Sequence, residues 1–142
     1  MELFKQAIRE HALVLSDQVL DLDRILTHRV EPGLIMEAGR EFADRFRGES
    51  VTKVVTIEST GISLAFATAY HLGVPMIFAR RRKTLLSDQD VLVERIPAIT
   101  KGIVTDLVLS KKLFDPADRV LIIDDIIANG DAARGLYRIL QK

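Results

Sequence analysis

At 142 residues, 48% of them apolar, the chain is long enough to bury one substantial core. Twenty Lys and Arg balance twenty Asp and Glu, which excludes a bulk electrostatic pull toward nucleic acid or an acidic membrane. The absence of cysteine excludes a disulfide framework, a thiol nucleophile and a thiolate metal site. No run approaches the roughly 18 to 20 apolar residues of a membrane-spanning helix. The N-terminal MELFKQAIREHALV also lacks the continuous apolar stretch of a signal peptide, so a cytoplasmic protein is expected.

Residues 3 to 10 set Leu3, Phe4, Ala7 and Ile8 at helical spacing, which predicts a short amphipathic helix covering the core. From Leu13 to Val30 the chain carries more apolar residues than a loop needs, and Ser16-Asp17-Gln18 reads as a turn between two short extended pieces. Pro32 suits a helix's first turn. Leu34, Ile35, Ala38, Phe42 and Phe46 follow as a core-facing stripe until Gly48. Thr52 to Ile57 predicts a strand that leads through Glu58-Ser59-Thr60-Gly61 into the small-residue helix ISLAFATAYHL, closed by Gly73 and Pro75. Hydroxyls and amides at such a helix N-terminus make an anion site, although a glycine-containing turn with no ligand has the same pattern.

Met76 to Ala79 predicts a third short buried strand, followed by Arg80-Arg81-Arg82-Lys83. Four successive cations usually form a solvated surface, but these leave the carboxyl end of a strand, where they would offset an anion's charge. Thr84 to Thr100 is mixed in polarity, and VLVERI and IVTDLVLS have the β-rich character of antiparallel strands around a flap or an ordinary hairpin. Asp115-Pro116-Ala117-Asp118 turns into a central strand, Arg119 to Ile123. A last helix begins near Asp131 and packs through Ala132, Leu136, Ile139 and Leu140.

The segment Val120 to Asp131, VLIIDDIIANGD, organises the whole. Its unalternating apolar run fits a strand covered on both faces, and buried carboxylates are costly without hydrogen bonds. Asp124 and Asp125 are therefore expected at the carboxyl edge of the sheet, where open α/β folds bind ligands. Asn129 and Gly130 permit a loop whose amides converge before the helix, an anion cradle. Acids for sugar hydroxyls and amides for a phosphate suit a ribose 5-phosphate; acids that merely cap a turn are the plain alternative.

This segment resembles the phosphoribosyl-pyrophosphate (PRPP) motif of the type I phosphoribosyltransferases: a hydrophobic run, two acids, a short apolar step and a small-residue phosphate loop. Leu15-Ser16-Asp17-Gln18-Val19-Leu20 is similar to the N-terminal hood of the bacterial xanthine phosphoribosyltransferase family. The resemblance implies an α/β doubly wound parallel sheet, the type I phosphoribosyltransferase fold, with a small N-terminal hood and a β flap. It spans residues 1–142 as one domain, and the family's C-terminal strands, one of which carries a basic residue contacting the purine, are not represented.

The implied activity is transfer of ribose 5-phosphate from PRPP to a 6-oxopurine, xanthine by the hood resemblance, forming XMP and pyrophosphate. Asp124 and Asp125 would be the catalytic acids, gripping the ribose 2- and 3-hydroxyls and stabilising the positive charge that builds on the ring. Ala128, Asn129, Gly130, Asp131 and Ala132 would cradle the 5-phosphate. Pyrophosphate would meet Glu58, Ser59, Thr60, Gly61, Arg80 and Lys83. The purine would meet Leu20 and Thr27; Thr27 stands where the family typically has asparagine, and a hydroxyl lacks an amide's paired donor and acceptor. A carboxylate at Asp131, beside a phosphate, has to face away. Mg²⁺ would be carried with PRPP rather than by a protein metal site, and a homodimer with no nucleic-acid or membrane partner is implied. A PRPP-binding regulator without catalysis and a truncated inactive copy are the other readings of these residues.

Overall fold

The structure is a computed structural model and describes residues 1–17, 19–81, 90–97 and 104–142. A helix, α1 (Glu2–His11), is followed by a hairpin, β1 (Leu13–Ser16) and β2 (Val19–Asp21), and one π-helical turn, Asp23–Thr27. Then come α2 (Pro32–Phe46), β3 (Lys53–Ile57), α3 (Gly61–Leu72) and β4 (Met76–Ala79). The chain continues through β5 (Val91–Pro97), β6 (Val104–Ser110), β7 (Val120–Ile122) and α4 (Asp131–Leu140).

Strands β4, β3 and β7 form a parallel sheet in that order, with Val55 opposite both Ile77 and Ile122. Alternation along β3 divides two cores. Val54 points to the layer of α2 and α3, where it meets Ile35, Leu64, Leu121 and Ile123; Val55 and Ile57 point to the layer of α4 and the β5–β6 hairpin, where they meet Ile96, Leu107, Leu136 and Ile139. Helices therefore cover both faces, as the doubly wound α/β expectation requires. Because the register is parallel, the carboxyl ends of all three strands reach one edge. There the Glu58 N–H donates to the Ala79 carbonyl at 2.9 Å and the Ile123 N–H to the Val55 carbonyl at 3.0 Å.

Strand β7 sits at the margin of this sheet among the described residues, and β3 holds the centre. The expected central strand is thus displaced, because β7 pairs with β3 alone. Strands β5 and β6 are antiparallel across seven residue pairs and join the sheet edge through Arg80, which exchanges two backbone hydrogen bonds with Val108, each 2.9 Å. The hairpin therefore matches the β-rich segments, while residues 82–89 and 98–103, including much of the expected flap, lie outside the described residues.

The stripe on α2 buries Ile35 and Ala38 and half-buries Leu34 and Phe42, but Phe46 stays exposed. Before β7, the turn at Asp115–Asp118 is tied to β3. The Asp118 carboxylate accepts from the Asp115 N–H at 2.7 Å, the Thr52 hydroxyl at 2.8 Å and the Lys53 ammonium. No described helix is long and apolar enough to cross a membrane.

Candidate active site

At the carboxyl edge of the sheet a cleft of about 290 Å³ opens between β7, α4, the turn after β3 and the end of β4. Asp124, Asp125 and the whole loop Ile126–Asp131 line it, with Ala132 and Ala133 from the first turn of α4. Thr60, Arg81 and Thr27 face it from the opposite walls, and Ile96 and Pro97 close one side from the end of β5.

The floor is set by a close approach. A β-carbon on Gly61, the first residue of α3, would stand 2.6 Å from the Thr56 hydroxyl and 2.7 Å from Asp124 Oδ1. Only a residue without a side chain lets α3 begin this near the end of β7. The carboxyl of Asp124 is half-buried and its pKa is pushed up to about 6. Burial is the first cause and the neighbouring Asp125 carboxyl the next, against the lowering effect of the Asp125 N–H, which donates to Asp124 Oδ1 at 3.0 Å, and of the Arg81 charge.

One end of the cleft is built on Gly130, which caps α4 with φ 82°. A helix's first N–H groups have no partner within the helix, and they carry its positive dipole end. Asp131 does not leave its carboxylate free in this cradle. It pairs with Arg134 one turn on and accepts the Asn129 side-chain amide at 2.7 Å, while its own N–H donates to Asn129 Oδ1 at 3.1 Å.

Opposite, the Glu58–Ser59 peptide is cis, and Glu58 is held by the basic turn. The Arg81 N–H donates to Glu58 Oε1 at 2.7 Å, Arg81 Nε to the Glu58 carbonyl at 3.2 Å, and Arg80 Nη1 to Glu58 Oε2 at 3.3 Å. Strand alternation separates the two arginines. Phe78 and Arg80 share one side, the guanidinium 4.9 Å above the ring, whereas Arg81 lies on the cleft side. Arg80 and Lys83 are the cations expected at this turn; the structure places Arg81 in the cleft lined by the two acids, and Lys83 lies outside the described residues. The missed signal was the alternation of MIFARR, since a strand that buries Ala79 carries Arg81 on the same side.

The hood residues divide. Thr27 reaches the cleft, with its hydroxyl donating to Asp23 and its lone pairs left to accept. Leu20 is 45% exposed on a hairpin whose Leu13, Val14, Leu15 and Val19 are also exposed, and it is not among the cleft's lining residues. Among the described residues no three His, Asp or Glu side chains converge as metal ligands would.

The phosphoribosyl transferase domain family matches residues 28–142. The chain belongs to the phosphoribosyltransferase family. Within it, the chain is 48% identical to the xanthine phosphoribosyltransferase of Shouchella clausii, over 100% of this chain and 71% of that protein. It is 43% identical to the Moorella thermoacetica xanthine phosphoribosyltransferase, over 99% of this chain and 71% of that one. Among solved structures, the adenine phosphoribosyltransferase of Rhodothermus marinus superposes with a TM-score of 0.76 at 26% identity, covering 99% of this chain and 80% of that one. The APRTase of Giardia lamblia, at 23% identity and a TM-score of 0.79, shares the fold over 96% of this phosphoribosyltransferase chain and 75% of its own.

Proposed function

We propose that this phosphoribosyltransferase transfers ribose 5-phosphate from PRPP to xanthine, yielding XMP and pyrophosphate, and that residues 1–142 act as one domain. The observation that carries the reading is the cleft itself: two adjacent acids at a strand end, a helix-capped loop on one side and Arg81 with the Glu58–Gly61 turn on the other. The choice of xanthine follows from the two relatives named for that base.

Asp124 and Asp125 accept hydrogen bonds from the ribose 2- and 3-hydroxyls, and their negative charge lies under the ring as positive charge develops at C1. The 5-phosphate sits on Ala128–Ala132, where amides and the dipole of α4 meet it. Pyrophosphate departs toward Ser59, Thr60, Gly61 and Arg81, with Glu58 holding Arg81 in place. Such catalysis is positioning plus charge stabilisation, so no side chain has to act as a nucleophile. Ile96 and Pro97 narrow the cleft, which keeps water from the ribosyl centre.

Mg²⁺ would arrive with the diphosphate and keep much of its water, as a hard, well-hydrated ion prefers. The ion supplies neutralisation of the leaving diphosphate's charge. A homodimer is part of the proposal, supported by Phe66 and Tyr70, which are 57% and 67% exposed one turn apart on α3 and form an apolar surface for a second copy.

The test is pyrophosphate release from PRPP and Mg²⁺ with xanthine, guanine, hypoxanthine and adenine supplied separately, with Asp124→Asn plus Asp125→Asn as control. Release that is fastest with xanthine and lost in the control supports the proposal. PRPP binding without release for any base would make the protein a PRPP-binding regulator or an inactive copy.

A further inference from the structure

Thr56 lies in the middle of the sheet on β3, fully buried, and among the described residues its hydroxyl is the buried side-chain group without a hydrogen-bond partner. Valine would fill the same volume and suit a strand as well, without leaving a hydroxyl unpaired. The hydroxyl is aimed at one place. Thr56 Oγ1 and Asp124 Oδ1 both lie within 2.7 Å of the point where a Gly61 β-carbon would stand, so they face each other across bare backbone. Their separation is one that a small side-chain movement or a single water closes.

We propose that Thr56 is a positioning residue for Asp124: its hydroxyl donates to Asp124 Oδ1 across the gap left by Gly61, directly or through one water. The inference rests on the reading of Asp124 as the ribose-binding acid. With the Asp125 N–H already on Oδ1 at 3.0 Å, a second inner donor commits that oxygen to the protein and leaves the other for the ligand's hydroxyls. A carboxylate that must be ionised and fixed in a half-buried position gains most from such a donor. The charged groups that bear on it are Asp125 on its own loop, Arg81 beyond β4 and, lining the same cleft from α4, Asp131.

The experiment compares Thr56→Val and Thr56→Ser with the unaltered protein. Carboxyl NMR follows the titration of Asp124, whose resonance is assigned by its loss in Asp124→Asn. Loss of the hydroxyl moves that titration upward by about half a pH unit or more in Thr56→Val, and Thr56→Ser restores it. In the transferase assay kcat/KM for PRPP falls about tenfold in Thr56→Val and recovers in Thr56→Ser. A side chain present for packing alone predicts the opposite order, with valine harmless and serine damaging. An unchanged titration in Thr56→Val, or serine behaving like valine, overturns the assignment. Should valine not fold, Thr56→Ala removes the same hydroxyl and is read in the same way. If the unaltered protein neither binds PRPP nor transfers, the reading of Asp124 falls, while the titration still decides whether Thr56 holds its carboxyl.

Discussion

Glu58 and Arg81 hold each other from two directions: the Arg81 N–H reaches the Glu58 carboxylate at 2.7 Å, and the Arg81 guanidinium reaches back to the Glu58 carbonyl at 3.2 Å. The turn after β3 is thereby fastened to the cationic end of β4, and Thr105 of the β5–β6 hairpin adds a hydrogen bond to the Arg81 carbonyl at 3.1 Å. Removing the Arg81 side chain therefore loosens the turn and, on the proposed reading, takes away a diphosphate partner. Arg81→Ala raises the KM for PRPP by about tenfold or more, the worth of one or two hydrogen bonds to a charged group. Arg80→Ala, which acts on a half-exposed side chain stacked on Phe78, changes it by about threefold or less. Steady-state kinetics on both variants check the ordering, and equal effects would contradict the alternation argument.

The pH dependence of catalysis follows from Asp124. Its pKa of about 6 means the acid is mostly ionised at neutral pH, and on the proposed reading the form that would accept ribose hydroxyls is lost as pH falls below that value. The profile of kcat/KM for PRPP, a free-enzyme quantity, should bend down near pH 6 and lose close to tenfold per unit below it. Initial rates between about pH 5 and pH 8 measure this, and the bend disappears in Asp124→Asn against a lower plateau.

Stability carries the opposite sign at a second acid. The Asp115 N–H, then the Lys53 ammonium and the Thr52 hydroxyl, hold Asp118 down to about 2 from its usual 3.8. A depressed carboxylate stabilises the fold fully above its unfolded pKa, and that contribution drains away as pH falls from about 4 to about 2. The melting temperature of the protein should therefore exceed that of Asp118→Asn at neutral pH and converge with it toward pH 2. Asp124, whose folded pKa is raised, contributes in reverse: stability declines as pH rises from 3.8 toward 6.

The contact of α4 with β5 depends on Gly135. A β-carbon there would stand 2.2 Å from Ile96 Cγ2, inside any permitted separation, and Ile96 is both fully buried and part of the cleft wall. Gly135→Ala should destabilise by about 1 to 3 kcal/mol, the usual cost of overpacking, and lower the melting temperature by about 3 to 8 °C. Adding Ile96→Ala removes the clashing Cγ2, so the double variant loses less than the sum of the two single variants; calorimetry on the single and double variants measures the coupling.

Much of this architecture is legible in local sequence. Pro32 at a helix start, Gly73-Val74-Pro75 at a helix end and the alternation of KVVTI specify their elements through backbone sterics and side-chain period, which need no distant partner. The acids of VLIIDD likewise had to lie where the strand ends, because carboxylates seek donors. Less was legible where long-range pairing decides. Nothing local to RRRK distinguishes its members, and Arg81 is selected by the pairing of Arg80 with Val108, 28 residues away. The placement of β7 beside β3, the exposure of Phe46 and Leu20, and the capture of the Asp131 carboxylate by Arg134 and Asn129 are of the same kind.

By itself, then, the sequence determined most of the strands and helices, and that two acids and a glycine-capped loop follow a buried strand. Tertiary structure decided which cation faces those acids and how near Gly61 brings Thr56 to Asp124. Secondary structure and strand ends follow from interactions within a few residues, whereas the facing of side chains across a cleft depends on register and close packing between segments far apart in the chain.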